Sequence, residues 1–265
     1  SRVEALRSRG CTPLQGDLDS AATLRRLAGI ATRVVHLAPP PSAGWADPRT
    51  VALTRALRAR TPPVSFVYGS TSGVYGNCKD QWVDETRMVQ PDTPRARRRV
   101  HAEQSVRFLG RSSGVHTSIL RIPGIYAPDR EGGTPQARLL KGTPVLCEQD
   151  DVYTNHIHAD DLARACILAV WRGRPQRSYN INDDTHLKMG DYFDMAADLY
   201  GLPRPPRVAR DGAREQLPLV LLSFMSESRR MLNARMKAEL GLRLQFPTVA
   251  QGLLPLSSQA TGWRR

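Results

Sequence analysis

Hydrophobic and polar positions follow two alternating patterns along the first half of the chain. Short runs rich in β-branched residues predict strands at residues 12–14, 33–37, 64–69 and 117–122. Stretches with apolar residues three and four positions apart predict helices between them, at residues 21–28, 49–59 and 94–109. Strands that alternate with helices are typical of βαβ units, so we expect an α/β fold with a doubly wound parallel sheet.

After Tyr126 the pattern becomes irregular, because prolines and paired glycines interrupt it. The spacing that follows predicts further strands and helices. The strands are expected at residues 155–158 and 179–182, and the helices at residues 160–171, 190–200 and 227–240. We therefore divide the chain into a regular core, residues 1–127, and a less regular region, residues 128–265, parts of which pack back on the core.

The beginning of the chain has a feature of its own. Residues 1–9 have the spacing of an amphipathic helix that leads directly into the first predicted strand, and position 1 is serine rather than methionine. This arrangement predicts that at least one βα unit precedes the chain and that a sheet edge is exposed where that unit would pack.

The charge of the chain is strongly positive. Lysine and arginine number 38 against 25 aspartate and glutamate residues, which gives a net charge of +13. Such a charge suits nucleic acid, but the arginines are scattered and no reading helix or aromatic stacking motif accompanies them. We expect neither a nucleic-acid partner nor, since no stretch of eighteen apolar residues occurs, a membrane span.

Cysteines and histidines offer no clear metal site. The four cysteines, Cys11, Cys78, Cys147 and Cys166, lie far apart without a C-x-x-C pair, which argues against zinc and disulfides and favours a reducing cytoplasm. His156 and His158 precede Asp160 and Asp161, but we interpret this segment as a strand end with an aspartate helix cap. No metal is expected, and Cys78 is left as the one candidate for a reactive thiol.

Three segments follow predicted strands and point to one crevice. They are Gly16-Asp17-Leu18, His36-Leu37-Ala38 and the S-T-S-G-V-Y-G run at residues 70–76. The carboxyl ends of parallel strands meet at the edge where open α/β sheets bind ligands. An acidic side chain there can accept a hydrogen bond from an adenine amino group, although G-D-L is also an ordinary turn and helix cap.

Later segments continue the series in order: Arg121-Ile-Pro-Gly-Ile-Tyr126, the run from His156 to Ala163, Tyr179-Asn-Ile-Asn182 and the run from Asn233 to Gly241. Together these motifs resemble the extended short-chain dehydrogenase/reductase superfamily of the NAD-dependent epimerase/dehydratase type, in particular its atypical members. The resemblance implies a Rossmann-like nucleotide-binding core, a C-terminal substrate region and NAD or NADP as cofactor. It further implies a small polar carbonyl or hydroxyl substrate, anionic or nucleotide-linked.

The resemblance also implies three groups of site residues. The expected cofactor contacts are Asp17, Leu18, Leu37, Ala38, Pro123 and Gly124. Thr71 takes the position of the catalytic hydroxyl that polarises a substrate carbonyl, while the alternative is that Thr71 and Ser72 only cap a strand end. The expected substrate contacts are Ser72, Arg95, Arg99 and Tyr126, and for Tyr126 core packing is the alternative.

Two departures from the family pattern keep the function open. No G-x-x-G-x-x-G turn occurs in the chain, which predicts weak dinucleotide binding. After Thr93-Pro94 the usual Tyr-x-x-x-Lys is replaced by Arg95-x-x-x-Arg99, and a guanidinium does not exchange a proton as a tyrosine does. These arginines either hold an anion or form a solvated helix face.

Two functions therefore remain. One is an NAD(P)-dependent oxidoreductase or epimerase, and the other is a catalytically inactive dinucleotide-binding sensor or partner protein. The apolar run at residues 217–222 predicts a subdomain core or a subunit contact, which leaves a homodimer open.

Overall fold

The computed structural model describes residues 2–254, so Ser1 of the predicted first helix and the end of the second region, residues 255–265, lie outside the described range. The helices are α1 (Arg2–Arg7), α2 (Ala21–Leu24), α3 (Pro48–Arg58), α4 (Pro94–Ser113), α5 (Gln136–Leu140), α6 (Ala159–Arg172), α7 (Met189–Tyr200), α8 (Arg210–Gln216), α9 (Leu219–Phe224) and α10 (Val249–Gly252). Single turns of 3₁₀ helix cover Arg25–Leu27 and Ser72–Tyr75, and a π-helical turn covers Met236–Leu240.

The strands are short outside the central sheet. They are β1 (Arg33–His36), β2 (Ser65–Thr71), β3 (Trp82–Val83), β4 (His116–Ile122), β5 (Gly124–Tyr126), β6 (Val145–Leu146), β7 (Tyr153–Thr154), β8 (His156–His158), β9 (Arg177–Asn180), β10 (Leu187–Lys188), β11 (Arg207–Val208) and β12 (Arg230–Met231).

The central sheet has the order β1-β2-β4-β9, and all its neighbours are parallel. In its register Tyr68 pairs with His36 on one side and with Ile119 on the other, and Thr71 pairs with Ile122. Parallel neighbours need a crossover, and α3 and α4 supply it between β1 and β2 and between β2 and β4. The predicted doubly wound parallel sheet is confirmed.

Side chains of the central strands alternate between two apolar layers. Phe66 and Tyr68 pack with side chains of α3 and α4, whereas Val67 packs with side chains of α6 and the π-helical turn. Burial on both faces is what parallel strands need, since helices cover them on either side. The sheet is thus the middle layer of a three-layer α/β/α core.

Helix α4 has clear start and stop signals. The hydroxyl of Thr93 accepts a hydrogen bond from the Ala96 N–H, and Pro94 occupies the first turn, where its missing N–H is not needed. The helix ends at Gly114, whose φ of 68° is left-handed. Because the start of α4 is fixed in this way, Arg95 and Arg99 are held one turn apart at its first turns.

A second apolar cluster lies in the later half of the chain. Most of its buried members come from α5, α7, α8, α10 and the segments between them. Leu217, which begins the apolar run at residues 217–222, and Met225, which follows that run, also belong to the cluster. By contrast, strand β9 belongs to the central sheet, and Met236 and Leu240 pack against that sheet. The boundary at residue 127 and the roles of the two regions stay predictions.

Two predictions near the first strand need correction. Residues 12–14 do not form a strand, because Pro13 offers no N–H for a ladder and no described strand pairs with this segment. The helix predicted at residues 21–28 is shorter, since α2 gives way to a 3₁₀ turn after Leu24. Strand β1 therefore forms an edge of the described sheet, and Val35 and Leu37 are exposed.

The long helix predicted at residues 227–240 is also wrong. Arg230 and Met231 form strand β12, which pairs in parallel with β3, and only residues 234–240 turn helically. The Met231 N–H donates to Oδ1 of Asn155 and the side chain is fully buried. These tertiary bonds fix the segment as a strand, although its apolar spacing alone resembles that of a helix. No described helix combines the length and apolar character that crossing a bilayer requires.

Candidate functional site

The carboxyl ends of β1, β2 and β4 meet at one edge of the sheet and form the crevice, which we define by Leu37, Thr71 and Pro123. Gly69 makes this close approach feasible. A Cβ atom at Gly69 would lie 2.9 Å from Cδ2 of Leu37 and 3.5 Å from Cδ1 of Ile122, so a larger residue would displace the Leu37 side chain.

Thr71 is the last residue of β2 and lies half-buried at the crevice. Its Oγ1 accepts a hydrogen bond from the Gly73 N–H at 3.3 Å, which caps the 3₁₀ turn Ser72–Tyr75. Ser72 is buried next to it. Because a hydroxyl that accepts can still donate, this capping bond leaves the Thr71 proton free for a substrate oxygen. The catalytic role of Thr71 stays a prediction.

Four of the six predicted cofactor contacts lie together. Leu37 and Ala38 follow β1, and Pro123 and Gly124 follow β4, all at the crevice edge. Gly124 is exposed and its N–H donates to the carbonyl oxygen of Asn155 at 3.1 Å. This hydrogen bond fixes the backbone beside the crevice.

Asp17 and Leu18 do not follow a strand. The prediction that they lie at the carboxyl end of a strand at residues 12–14 is therefore wrong. Asp17 is exposed, and its carboxylate accepts a hydrogen bond from the Asp19 N–H at 2.9 Å. Leu18 packs against the apolar layer beneath α3. An ion pair of 2.5 Å between Asp19 and Arg49 attaches the segment to α3. Contact of Asp17 with adenine stays a prediction, but it no longer follows from a position at the carboxyl end of a strand.

Arg95 and Arg99 differ in their surroundings. Arg99 is half-buried and donates from Nη1 to the Tyr68 hydroxyl at 3.1 Å and to the Gly69 carbonyl at 2.8 Å. Burial raises the pKa of Tyr68 to about 12, although Arg99 opposes the shift. Arg95 is exposed, and its guanidinium carbon lies 5.6 Å from the centre of the Phe224 ring. Arg99 therefore supports the crevice wall, whereas Arg95 stays available to a ligand.

Glu227 and Arg229 are functional candidates that the sequence did not reveal. Both nitrogens Nη1 and Nη2 of Arg229 donate to Oε2 of Glu227, at 2.8 and 2.5 Å, and both side chains are 9% exposed. Arg229 also donates to the Gly76 carbonyl at 2.6 Å. Burial raises the pKa of Glu227, although Arg229 opposes the shift. A spacing of two places both side chains on one face of extended backbone, and this was the available signal.

A buried hydrogen-bond network, which we call the sheet network, lies behind the crevice wall. It consists of Ser70, Tyr75, Glu103, Arg121 and Asn180. Glu103 accepts from Ser70 Oγ at 2.7 Å and from Arg121 at 3.2 and 2.9 Å. The Tyr75 hydroxyl accepts from Arg121 at 2.9 Å and donates to Asn180 at 2.7 Å. The network ties β2, β4, β9 and α4 together, so the elements that carry Thr71 and Arg99 are held rigidly.

Tyr126 is buried within the second apolar cluster. Its hydroxyl donates to Oδ2 of Asp183 at 3.4 Å, and its ring meets the ring of His158 edge-on at 5.3 Å. Burial raises the pKa of Asp183 to about 7. These contacts favour the core role of Tyr126, and contact with substrate stays a prediction.

The predicted aspartate cap of α6 is wrong. Nδ1 of His158 accepts from the Asp160 N–H at 3.2 Å and caps the helix, while Asp161 is buried and accepts from the backbone of Gln245 and Phe246. His156 stacks on Tyr192 with ring centres 4.3 Å apart. Within residues 2–254 no cluster of three histidine, cysteine or acidic side chains could hold a metal ion.

Cys78 lies buried beside the Tyr75–Gly76 turn. Burial raises the pKa of its thiol, although Arg87 and Arg229 oppose the shift. A raised pKa disfavours the nucleophilic thiolate. The surroundings of Cys78 therefore argue against the reactive thiol that the sequence left open.

Comparisons with known proteins identify the family and the fold of the chain. The model of the family described as "NAD dependent epimerase/dehydratase family" matches residues 5–182. Human dTDP-D-glucose 4,6-dehydratase is 28% identical over 144 residues, which cover 52% of this chain and 41% of that protein. The chain thus spans about two fifths of the length of this curated relative.

Solved structures show the same fold over more of the chain. A conserved protein of unknown function from Silicibacter pomeroyi is 33% identical with a TM-score of 0.80, and the match covers 98% of this chain and 87% of that one. UDP-glucuronic acid 4-epimerase from Bacillus cereus, solved in complex with NAD, is 17% identical with a TM-score of 0.73, and the match covers 95% and 82%.

Proposed function

Since this chain belongs to the NAD dependent epimerase/dehydratase family, we propose that it binds NAD or NADP in the crevice and acts as an oxidoreductase or epimerase. The observation that carries the proposal is the position of Thr71. Its hydroxyl lies at the carboxyl end of β2, in the middle of the crevice, with its proton free to polarise a substrate oxygen.

The crevice offers residues for the adenosine and nicotinamide ends of the cofactor but no glycine-rich turn for its pyrophosphate. Leu37 and Ala38 would lie beside the adenosine ribose, and Pro123 and Gly124 would line the nicotinamide end. Asp17 and Leu18 are the proposed adenine contacts. The pyrophosphate has no matching G-x-x-G-x-x-G turn in these 265 residues, so we expect a dissociation constant above the micromolar range. The bound cofactor would supply the hydride chemistry, while the protein holds and polarises the substrate.

We propose a nucleotide-linked sugar as the substrate class. The names of the human and Bacillus cereus relatives both refer to such compounds. In this chain Arg95 is exposed at the start of α4, and its guanidinium suits a phosphate or carboxylate. Residues 1–127 would then bind the nucleotide cofactor, and residues 128–265 the substrate.

A catalytically inactive dinucleotide-binding protein is the second candidate. The observation that favours it is the state of Arg99, which stands at the position of the family lysine and is engaged with Tyr68 and Gly69. Neither Arg99 nor Arg95 can exchange a proton at neutral pH. Turnover by this chain requires another proton-exchanging group.

Binding and turnover experiments separate the two candidates. NADH and NADPH are titrated to millimolar concentration by fluorescence, and reduction of the oxidised cofactors is followed at about 340 nm with dTDP-glucose and UDP-glucuronate. We expect weak binding and measurable turnover that Thr71→Val lowers about 10- to 100-fold. The exposed Thr61→Val is the matched control and should match the wild type.

Each result has a distinct meaning. Binding with neither cofactor reduction nor conversion of the added sugar nucleotide, followed by chromatography because epimerisation and dehydration regenerate the cofactor, supports the inactive protein. Absence of binding at millimolar concentration rejects both candidates. The double variant Arg95→Tyr/Arg99→Lys tests the replaced motif. If wild-type turnover is already fast and this variant abolishes it, the interpretation of both arginines as unable to serve catalysis is wrong.

A further inference from the structure

The crevice lacks the proton-exchanging tyrosine of the family, and arginine cannot replace it. An acidic side chain that faces Thr71 could. Glu227 is such a side chain. It lies in the segment before β12, and its carboxylate lies next to Gly73 in the turn after β2.

The distances bring Glu227 and Thr71 to the same small space. A Cβ atom at Gly73 would lie 3.7 Å from Oγ1 of Thr71 and 3.8 Å from Oε2 of Glu227. A substrate oxygen near this point needs to move by only about 1 Å to reach hydrogen-bond distance from either group. Gly73 leaves this space open because it has no side chain.

The carboxylate of Glu227 is held on one side and free on the other. Its hydrogen bonds from Arg229 both end on Oε2. Oε1 accepts no hydrogen bond from the described residues and is not among their buried polar atoms without partners, so it keeps contact with solvent. Arg229 thus orients the group, with Oε2 toward the space beside Gly73 and Oε1 in contact with solvent.

We propose that Glu227 is the proton-exchanging catalytic residue of the crevice, with Thr71 as the hydrogen-bond donor to the same substrate oxygen and Arg229 as a positioning residue. This inference rests on the proposed function. In the oxidation direction the substrate hydroxyl proton passes to the carboxylate of Glu227. A bound oxidised nicotinamide would accept the hydride as the carbon–hydrogen bond breaks and the carbon–oxygen bond becomes double.

The charges around Glu227 suit such a role. Arg229, Arg95 and Asp92 are the charged groups that act on it, and burial is the largest influence and raises its pKa. A carboxylate whose pKa is raised is a stronger base than a free one. Activity in the oxidation direction should therefore rise with pH through this pKa, because the base must be deprotonated.

Three variants test the proposal by turnover. Glu227→Gln keeps the size and an oxygen for Arg229 but cannot accept a proton, so we expect a loss of about 10²–10⁴-fold in kcat with little change in cofactor affinity. Glu227→Asp should retain more activity than Glu227→Gln, and the rising limb of the pH profile should vanish only in the latter. Glu215→Gln, an exposed glutamate in α8, is the matched control.

Gly73→Ala tests the space without touching either reacting group. Its methyl group would make ordinary contacts of 3.7 and 3.8 Å and occupy the position proposed for the substrate oxygen. We expect higher KM and lower kcat at an unchanged melting temperature. Wild-type kinetics in this variant would overturn the proposed position of the substrate.

A readout without cofactor separates this proposal from the proposed function. In protein labelled with ¹³C at glutamate carboxyl groups, the resonance of Glu227 is assigned by its loss in Glu227→Gln. We expect it to move when dTDP-glucose is added but not with dTDP alone. If the wild type reduces cofactor while Glu227→Gln matches it, or if dTDP-glucose leaves the resonance unmoved, this proposal fails. If the resonance moves but cofactor is not reduced and dTDP-glucose is not converted, the proposed activity fails and the contact with Glu227 stands.

Discussion

Two buried arginine–glutamate pairs lie on either side of the crevice wall and use their carboxylates differently. In the sheet network Glu103 and Arg121 are each 4% exposed, and both oxygens of Glu103 accept from Arg121. In the crevice Arg229 holds only Oε2 of Glu227. Burial would lower the pKa of Arg121, but Glu103 and Tyr75 outweigh it and raise that pKa.

The difference separates a structural pair from a reactive one. A buried carboxylate with both oxygens engaged by protein donors mainly fixes the elements around it. A carboxylate anchored by one oxygen keeps its orientation and presents the other. The same two residue types thus give rigidity in one place and, by our proposal, proton exchange in the other.

The largest expected effect is on stability and comes from the sheet network. Glu103→Gln leaves the Arg121 charge buried without its carboxylate, which should cost about 3–5 kcal/mol in the free energy of unfolding by urea. The double variant Glu103→Leu/Arg121→Met removes both charges and should recover about half of that loss. A single-variant cost below about 1 kcal/mol would contradict the structural role of this pair.

A third buried carboxylate, Asp183, extends the comparison because its described hydrogen-bond donors are neutral: the Thr185 N–H and the Tyr126 hydroxyl. Burial raises its pKa from 3.8 to about 7. Between these values the folded chain holds a proton that the unfolded chain releases. Stability from this group is therefore present below about pH 4 and is lost as pH rises to about 7.

Asp183→Asn should remove this pH dependence. The wild type is expected to lose roughly 1–3 kcal/mol between about pH 4 and pH 7, and the variant much less, when urea midpoints are compared. Asp211→Asn, at an exposed position in α8, serves as the control. Equal slopes in wild type and Asp183→Asn would show that the Asp183 carboxyl does not hold its proton in the folded chain.

A smaller loss of stability is expected at the crevice pair. Glu227→Gln still offers an oxygen to Arg229, which also keeps the Gly76 carbonyl, so the cost should be about 1–2 kcal/mol. Thermal or urea unfolding of Glu227→Gln and Glu103→Gln under the same conditions compares the two losses in free energy of unfolding. If the two variants cost the same, the distinction between structural and reactive pairs is lost.

The smallest effects are expected at the start of α4. Arg99→Met loses two hydrogen bonds from a half-buried guanidinium and should cost about 1 kcal/mol. Arg95→Met removes an exposed side chain and should stay within about 0.5 kcal/mol of the wild type. Urea unfolding of both variants checks this, and the reverse order would mean that the two side chains have been assigned to the wrong surroundings.

Much of the central fold could be predicted because local pattern and tertiary role agree there. Strands such as β2 and β4 are buried on both faces and rich in β-branched and aromatic residues, and α3 and α4 carry their own caps, so the local pattern identifies them. The positions of Thr71, Leu37 and Pro123 followed, since parallel strands end at one edge. The predicted strand at residues 12–14 failed because a strand also needs a partner for its hydrogen bonds.

The amino-acid sequence by itself determined the α/β class, the family motifs, the replacement of the acid–base pair by Arg95 and Arg99, and the lack of a glycine-rich turn. Only the tertiary structure decided that residues 230–231 form a strand beside β3 and that Glu227 and Arg229 reach the crevice. The physical reason is that Glu227 lies 156 positions after Thr71, and nothing in the residues around Glu227 indicates that it packs near Thr71. Its place depends on hydrogen bonds between segments that are distant in sequence, and those bonds exist only once the chain has folded.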